Sequence, residues 1–171
     1  FMNIHINRSA VVTWTDYLGT KHTVPCALGH GGIAIKQSEG DGITPVGNFS
    51  LLSVMYRNDR QDLPETKLSV STINKNNGWC NSSASPDYNK PITLPYNGSH
   101  EKLYRDDDLY DIVIDIDYNR TEPVAGKGSA IFMHVAQASY HPTKGCIALA
   151  LNDLLELLKS CDENTRLIIT P

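Results

Sequence analysis

Apolar and polar residues alternate from the start of the chain. In "NIHINRSAVVTWTDYLGTKHTVPCALG", residues 3–29, β-branched and aromatic positions flank a polar break near Asp16 to Lys21, which predicts a hairpin of two strands. After the glycine-punctuated stretches "GHGGIAI" and "EGDGITPVG", the alternation returns in "NFSLLSVMY" as a further strand. "DLYDIVIDIDYN" interleaves charged and aliphatic residues over Asp111 to Asp117, which predicts a strand with one buried face and places Asp115 and Asp117 toward solvent. "GSAIFMHVA" reads as a mostly apolar strand carrying His134 near its end. Helical spacing occurs once, in "DLLELLKSC", with Asn152 as its expected cap, acids at its start and Lys159 near its end. "TRLIITP" then returns as a last strand. The pattern predicts a mainly β fold with one short C-terminal helix. Between residues 58 and 99 it lapses into Asn, Ser, Pro and Asp, a segment too long for a passive connection, so a functional loop or lid is expected there.

At 171 residues, one domain spanning 1–171 is expected, large enough to bury a core without staples. A net charge of −4 argues against a nucleic-acid partner. No window approaches the roughly 20 apolar residues of a transmembrane helix. Cys26, Cys80, Cys146 and Cys161 show no metal-like C-x-x-C spacing, so no metal is expected; a disulfide between Cys26 and Cys80 stays open. The start offers no basic-then-apolar export signal, and Phe1 ahead of Met2 leaves the native start open.

The stretch with most chemical content is "YHPTKGCIALAL", residues 140–151, where Cys146 stands between a glycine and an aliphatic run. Such a cysteine is either a small core residue or a thiol set on a tight turn. A thiol becomes a nucleophile when an imidazole takes its proton and backbone amides wait for the oxyanion. His134, twelve residues upstream on a strand, is better placed as that base than His141, which sits beside Pro142 on an exposed turn as a solvated or substrate-side residue. Gly145 permits a backbone that aims the amides of Lys144, Gly145 and Cys146 at one point. On these residues alone the buried-core reading of Cys146 remains open.

Four stretches, "KQSEGDGITPVGNF", "GWCNSSASPDYNKPITLP", "LYRDDDLYDIVIDIDYN" and "GSAIFMHVAQASYHPTKGCIAL", resemble in order the L,D-transpeptidase catalytic domain of the YkuD type, in the branch with a Thr-x-Gly-Cys motif. The resemblance runs from about Cys26 to Leu158. It implies a β-sandwich with a long polar active-site loop, no metal, no organic cofactor, and peptidoglycan stem peptides as substrate. Carried onto matching positions, it makes Cys146 the nucleophile, His134 the base, and Thr143, Lys144 and Gly145 the turn and oxyanion hole. Thr44, Pro45, Gly47 and Phe49 match a structural T-P-x-G-x-F element. The implied reaction is attack at the bond between the third residue of a tetrapeptide stem and its terminal D-alanine, giving a thioester that an amine acceptor resolves. Resolution by water or by a free D-amino acid would make the protein an L,D-carboxypeptidase or an exchange enzyme. The resemblance places it in the cell envelope as a monomer, with carbapenems as acylating agents.

Two departures stand out. Thr-Lys-Gly-Cys-Ile-Ala replaces the more familiar Ser-His-Gly-Cys followed by Arg or Asn, and His30 stands where an arginine is expected. Trp79, Asp87 and Tyr88 match a W-C…D-x-x-Y-N element and are expected at the substrate wall or, alternatively, packing the loop onto the sandwich. Arg105 is expected to grip a substrate carboxylate or to pair with Asp106 to Asp108. The rival functions are an antibacterial effector acting on the same stems, an inactive peptidoglycan-binding module and a thiol protease.

Overall fold

The computed structural model describes residues 2–171; Phe1 lies outside them. Strands β1 (Asn3–Asn7), β2 (Val11–Thr15) and β3 (Lys21–Pro25) form an antiparallel meander. One hairpin was expected; the chain turns twice, because Ala10 adopts φ 58° and divides the first run. Strands β4 (Ile33–Ala34) and β5 (Thr44–Pro45) pair in parallel and lead into the long β6 (Gly47–Tyr56). Strand β7 (Val70–Thr72) runs beside the end of β6. Strands β8 (Asn77–Cys80), β9 (Pro91–Thr93) and β10 (His100–Lys102) make a separate small sheet in the order β10-β8-β9. The remainder is β11 (Ile112–Ile116), β12 (Phe132–Val135), β13 (Ile147–Leu149), helix α1 (Leu151–Leu158) and β14 (Arg166–Ile169).

The main sheet runs β13-β12-β11-β6-β14-β1-β2-β3. Its two ends meet. The chain leaving β3 bends so that Ala27 exchanges both backbone hydrogen bonds with Ala148, at 2.8 and 3.0 Å, and the edge of β13 is thereby covered. Ile4, Ile6, Val12, Val54, Ile114 and Leu167 fill the enclosed space, and α1 closes it with Leu154, Leu157 and Leu158. The fold is thus mainly β with one short helix, as the alternation implied. That helix begins after Ala150 with no side-chain cap, so Asn152 lies inside its first turn rather than at its cap; Leu151 packs against the core and sets the start.

A second apolar cluster, Ile73, Trp79, Leu103, Tyr110, Val113 and Phe132, covers the other face of β11 and β12. Strand β11 is therefore buried on both faces, not one. Asp115, expected toward solvent, is 4% exposed and pairs with Arg120 at 3.2 Å, and the Arg120 guanidinium lies 4.7 Å over the Trp79 ring. Burial pushes the Asp115 carboxyl up to about 6, against the pull of Arg120. Asp117 is half-buried.

The polar segment 58–99 is ordered structure, and Asn81 within it lines the cleft described below. Its short side chains bond their own backbone: Asn77 Oδ1 accepts Asn74 N–H at 2.7 Å, Asn74 Oδ1 accepts Asn76 N–H at 2.9 Å, and Ser85 Oγ accepts Asp87 N–H at 3.1 Å. All four cysteines are free, with Cys26 in the main core and Cys80 under the small sheet. No helix among the described residues is long and apolar enough to cross a membrane.

Candidate active site

Parallel pairing of β12 with β13 sets the site. Met133 registers with Ile147 and His134 with Ala148, so Cys146, one residue before β13, falls beside Phe132. The Phe132 N–H donates to Cys146 Sγ at 3.4 Å, and the thiol donates to Ala130 O at 3.1 Å. His134 donates from Nδ1 to Val135 O at 2.9 Å, which fixes the tautomer and leaves a lone pair on Nε2. The Tyr110 ring meets His134 edge-on, centroids 5.4 Å apart. His134 and the half-buried Cys146 both line a cleft of about 730 Å³, together with Lys36, Glu39, Glu101 and Arg105.

The turn that presents the thiol is clamped from both sides. Thr143 Oγ1 donates to Cys146 O at 2.6 Å and accepts the Gly145 N–H at 3.1 Å. Thr44 Oγ1 donates to Gly145 O at 2.9 Å and accepts the Gly29 N–H at 2.8 Å, so the T-P-x-G-x-F element fastens the Cys146 turn to the sheet. Gly145 has φ 138°, and a Cβ there would stand 2.9 Å from Ile43 O; glycine is required on both counts. Among the described residues the amides of Lys144 and Cys146 have no protein acceptor, whereas that of Gly145 is spent on Thr143. Of the three amides expected to form an oxyanion hole, those of Lys144 and Cys146 are therefore the two left without an acceptor.

Both titrating groups are neutral at rest. Burial pushes the Cys146 thiol up to about 12; the Phe132 amide opposes this, the Glu101 carboxylate adds to it, and Lys36 acts against it. Burial pushes His134 down, against its bond to Val135. An uncharged imidazole is available as a base at neutral pH.

Thr143, Lys144, His141 and Arg105 also line the cleft. Arg105 is bidentate to Asp107, at 2.8 and 2.7 Å through Nε and Nη2, which matches the pairing alternative. Three residues expected at the substrate wall are not there. Trp79 is 1% exposed, and Tyr88 is buried with its hydroxyl donating to Glu39 at 2.8 Å. Asp87 accepts from Tyr96 at 3.2 Å. Trp79 and Tyr88 act from behind: Asn89 Oδ1 accepts Trp79 Nε1–H at 2.9 Å and Ala130 N–H at 3.0 Å, and so holds the carbonyl that receives the thiol proton. His30 is exposed and covers Gly42, where a Cβ would strike its ring. Sequence reasoning did not select Lys36, Glu39, Glu101 or Tyr110; their signal is that all lie inside or beside the four quoted stretches.

Among the described residues one group brings metal-type donors together: Asp16, His22 and Glu156, within 4.8 Å of one another and not lining the cleft. His22 is already bound to Asp16 at 2.7 Å and stacked on Trp14.

The sequence model of the YkuD family, the L,D-transpeptidase catalytic domain, matches residues 2–169. Several solved structures are similar. L,D-transpeptidase 3 from Mycobacterium tuberculosis is 14% identical, with 99% of this chain and 61% of that one covered at a TM-score of 0.49. An L,D-transpeptidase from Mycobacterium smegmatis is 12% identical, with 99% and 58% covered at 0.47. Bd1075 from Bdellovibrio bacteriovorus is 12% identical, with 99% and 47% covered at 0.50. The chain thus spans about three fifths or less of the length of these proteins. No curated protein matches the sequence. Because the family model takes in nearly every residue, including His134 on β12 and Cys146 just ahead of β13, the chain belongs to the L,D-transpeptidase catalytic domain family.

Proposed function

We propose that the protein is a cysteine acyltransferase acting on peptidoglycan stem peptides, as a single catalytic unit in the cell envelope. The observation that carries this reading is the convergence of His134 and Cys146 from the paired ends of β12 and β13 onto one cleft, with Nε2 of His134 free of protons. In the resting state the thiol is parked on Ala130 O. Substrate entry displaces it toward Nε2, and the imidazole takes its proton as Sγ attacks. The carbonyl is that between the third residue of a tetrapeptide stem and its terminal D-alanine. The amides of Lys144 and Cys146 receive the oxyanion. His134 then returns the proton to the departing D-alanine amine, leaving a thioester that an amine acceptor opens. Thr143 shapes the turn, and His141 and Arg105 stand at the cleft's rim for the stem's polar groups. The reaction requires no metal and no organic cofactor.

The test is mass spectrometry of purified tetrapeptide muropeptides incubated with the wild-type protein and with Cys146→Ala. Release of D-alanine by the wild type alone supports the reading, and cross-linked products distinguish transfer from hydrolysis to tripeptide. Intact tetrapeptide after incubation with folded wild-type protein overturns it. A covalent adduct with imipenem on Cys146, read as an intact-mass increase absent from Cys146→Ala, is the companion measurement.

A further inference from the structure

Lys36 is buried where a lysine has no need to be. Long cationic side chains normally lay their stems along the protein and keep the ammonium in water; here the side chain is only 2% exposed. Two of its three N–H groups are used, on Asp41 Oδ1 at 2.6 Å and Ile43 O at 3.1 Å. The third has no protein acceptor among the described residues, and Lys36 lines the same cleft as Cys146. Asp41 is fixed independently by the N–H groups of Gln37, Ser38 and Ile43, at 2.8, 3.0 and 3.0 Å, so the pair is anchored without help from the cleft.

The backbone makes room for this side chain at one glycine and touches it at another. Gly128, with φ 119°, keeps a Cβ out of the space taken by Lys36 Cε. Gly145, the residue before the nucleophile, lies so close that a Cβ built there would be in van der Waals contact with Lys36 Nζ, at 3.5 Å. Two glycines in conformations that other residues avoid therefore border one lysine. Removing a charge from water is costly, and a pair that served only packing would be replaceable by apolar residues of similar volume.

The geometry points to Lys36 as the fixed positive charge that stabilises negative charge at Cys146 when the thiol gives up its proton, making it an activating residue of the reaction. Other charged or titratable groups line the cleft with the thiol: His134 on β12, Tyr110 and Arg105 ahead of β11, His100 and Glu101 on β10, Glu39 beside Ser129, and His141 and Lys144 on the segment leading to the thiol. Glu101 opposes ionisation, Arg105 is committed to Asp107, and Lys144 is exposed to solvent. That leaves Lys36 as the shielded cation, and the direction of its effect on the thiol agrees.

The inference rests on Cys146 being the nucleophile proposed above, but its test needs no peptidoglycan. The rate of Cys146 alkylation by iodoacetamide is followed by peptide mass mapping from pH 6 to 10, where it tracks the small thiolate fraction, in the wild type, in Lys36→Met, and in Lys36→Met with Asp41→Asn, which leaves no partner charged and alone. Both variants are expected to react about tenfold more slowly at each pH, the equivalent of a thiol harder to ionise by about one pH unit. A rate equal to wild type in either folded variant overturns the inference. If neither variant folds, Asp41→Asn alone decides: freeing the ammonium from its carboxylate is expected to raise the rate, and an unchanged rate overturns the inference. Failure of the muropeptide reaction with a normal Lys36 effect would instead count against the substrate.

Discussion

Asp41 and Asp115 each stand beside a cation, and they behave in opposite ways. Asp41, against Lys36, sits at the cleft; Asp115, against Arg120, lies behind Trp79. Their side chains are 13% and 5% exposed, so burial alone does not separate them. Burial pushes both carboxyls up. At Asp41 that push is outweighed by the Lys36 ammonium and by the amides of Ile43, Ser38 and Gln37, which hold it well below the usual carboxylate range. Asp115 has Arg120 at longer range and no backbone donor, and Asp117 nearby, so it ends up at about 6. A buried charge is stabilised by the number and rigidity of the donors that meet it, more than by the presence of a counterion. The well-served pair stands next to the nucleophile's turn, and the poorly served one has no part in the cleft.

The largest expected effect comes from removing the better-served carboxylate. Asp41→Ala strands the Lys36 ammonium and three amides, and should cost about 3 kcal/mol in urea denaturation. Gly145→Ala, which forces a methyl against Ile43 O in a glycine conformation, should cost about 2 kcal/mol and displace the thiol, read as slower alkylation of Cys146. Thr44→Val removes one hydroxyl that both holds Gly145 O and accepts Gly29 N–H, and should cost about 1.5 kcal/mol. Asp115→Asn should do the reverse of Asp41→Ala and stabilise the protein at pH 7 by about 1 kcal/mol, since it removes a poorly compensated charge.

The pH dependences of the two sites differ in sign. Asp41 binds fewer protons folded than unfolded, so its contribution is present above the unfolded value of 3.8 and is lost as pH falls below it; the gap between wild type and Asp41→Ala should close there. Asp115 binds more protons folded, so between 3.8 and about 6 wild-type stability falls as pH rises. The advantage of Asp115→Asn should open across that window. Denaturation midpoints at pH 2, 3, 4, 5, 6 and 7 measure both, and a flat difference for Asp115→Asn would remove the contrast.

The pattern along the chain located most strands because burial on one face writes itself as alternation, and β6, β12 and β14 read directly. It misplaced what depends on a second layer. Asp115 looked solvent-facing because nothing local announces that the small sheet of Trp79 will cover β11 from the other side. For the same reason the order within residues 58–99 was not legible: Asn, Ser and Asp form compact turns by bonding their own backbone, which leaves no hydrophobic signature. At the site, spacing and family resemblance together suggested His134 and Cys146, which lie on or beside paired strands. Lys36 opens one of the matching stretches, but nothing local singles it out, since its proximity to Gly145 is made by a contact across more than a hundred residues.

The clamp from Thr44 to Gly145 joins positions 101 residues apart, and β14 lies between β6 and β1 in the middle of the sheet. The turn that carries Cys146 is therefore a long-range product of the fold, and it should lose its shape together with the sheet rather than by local fraying.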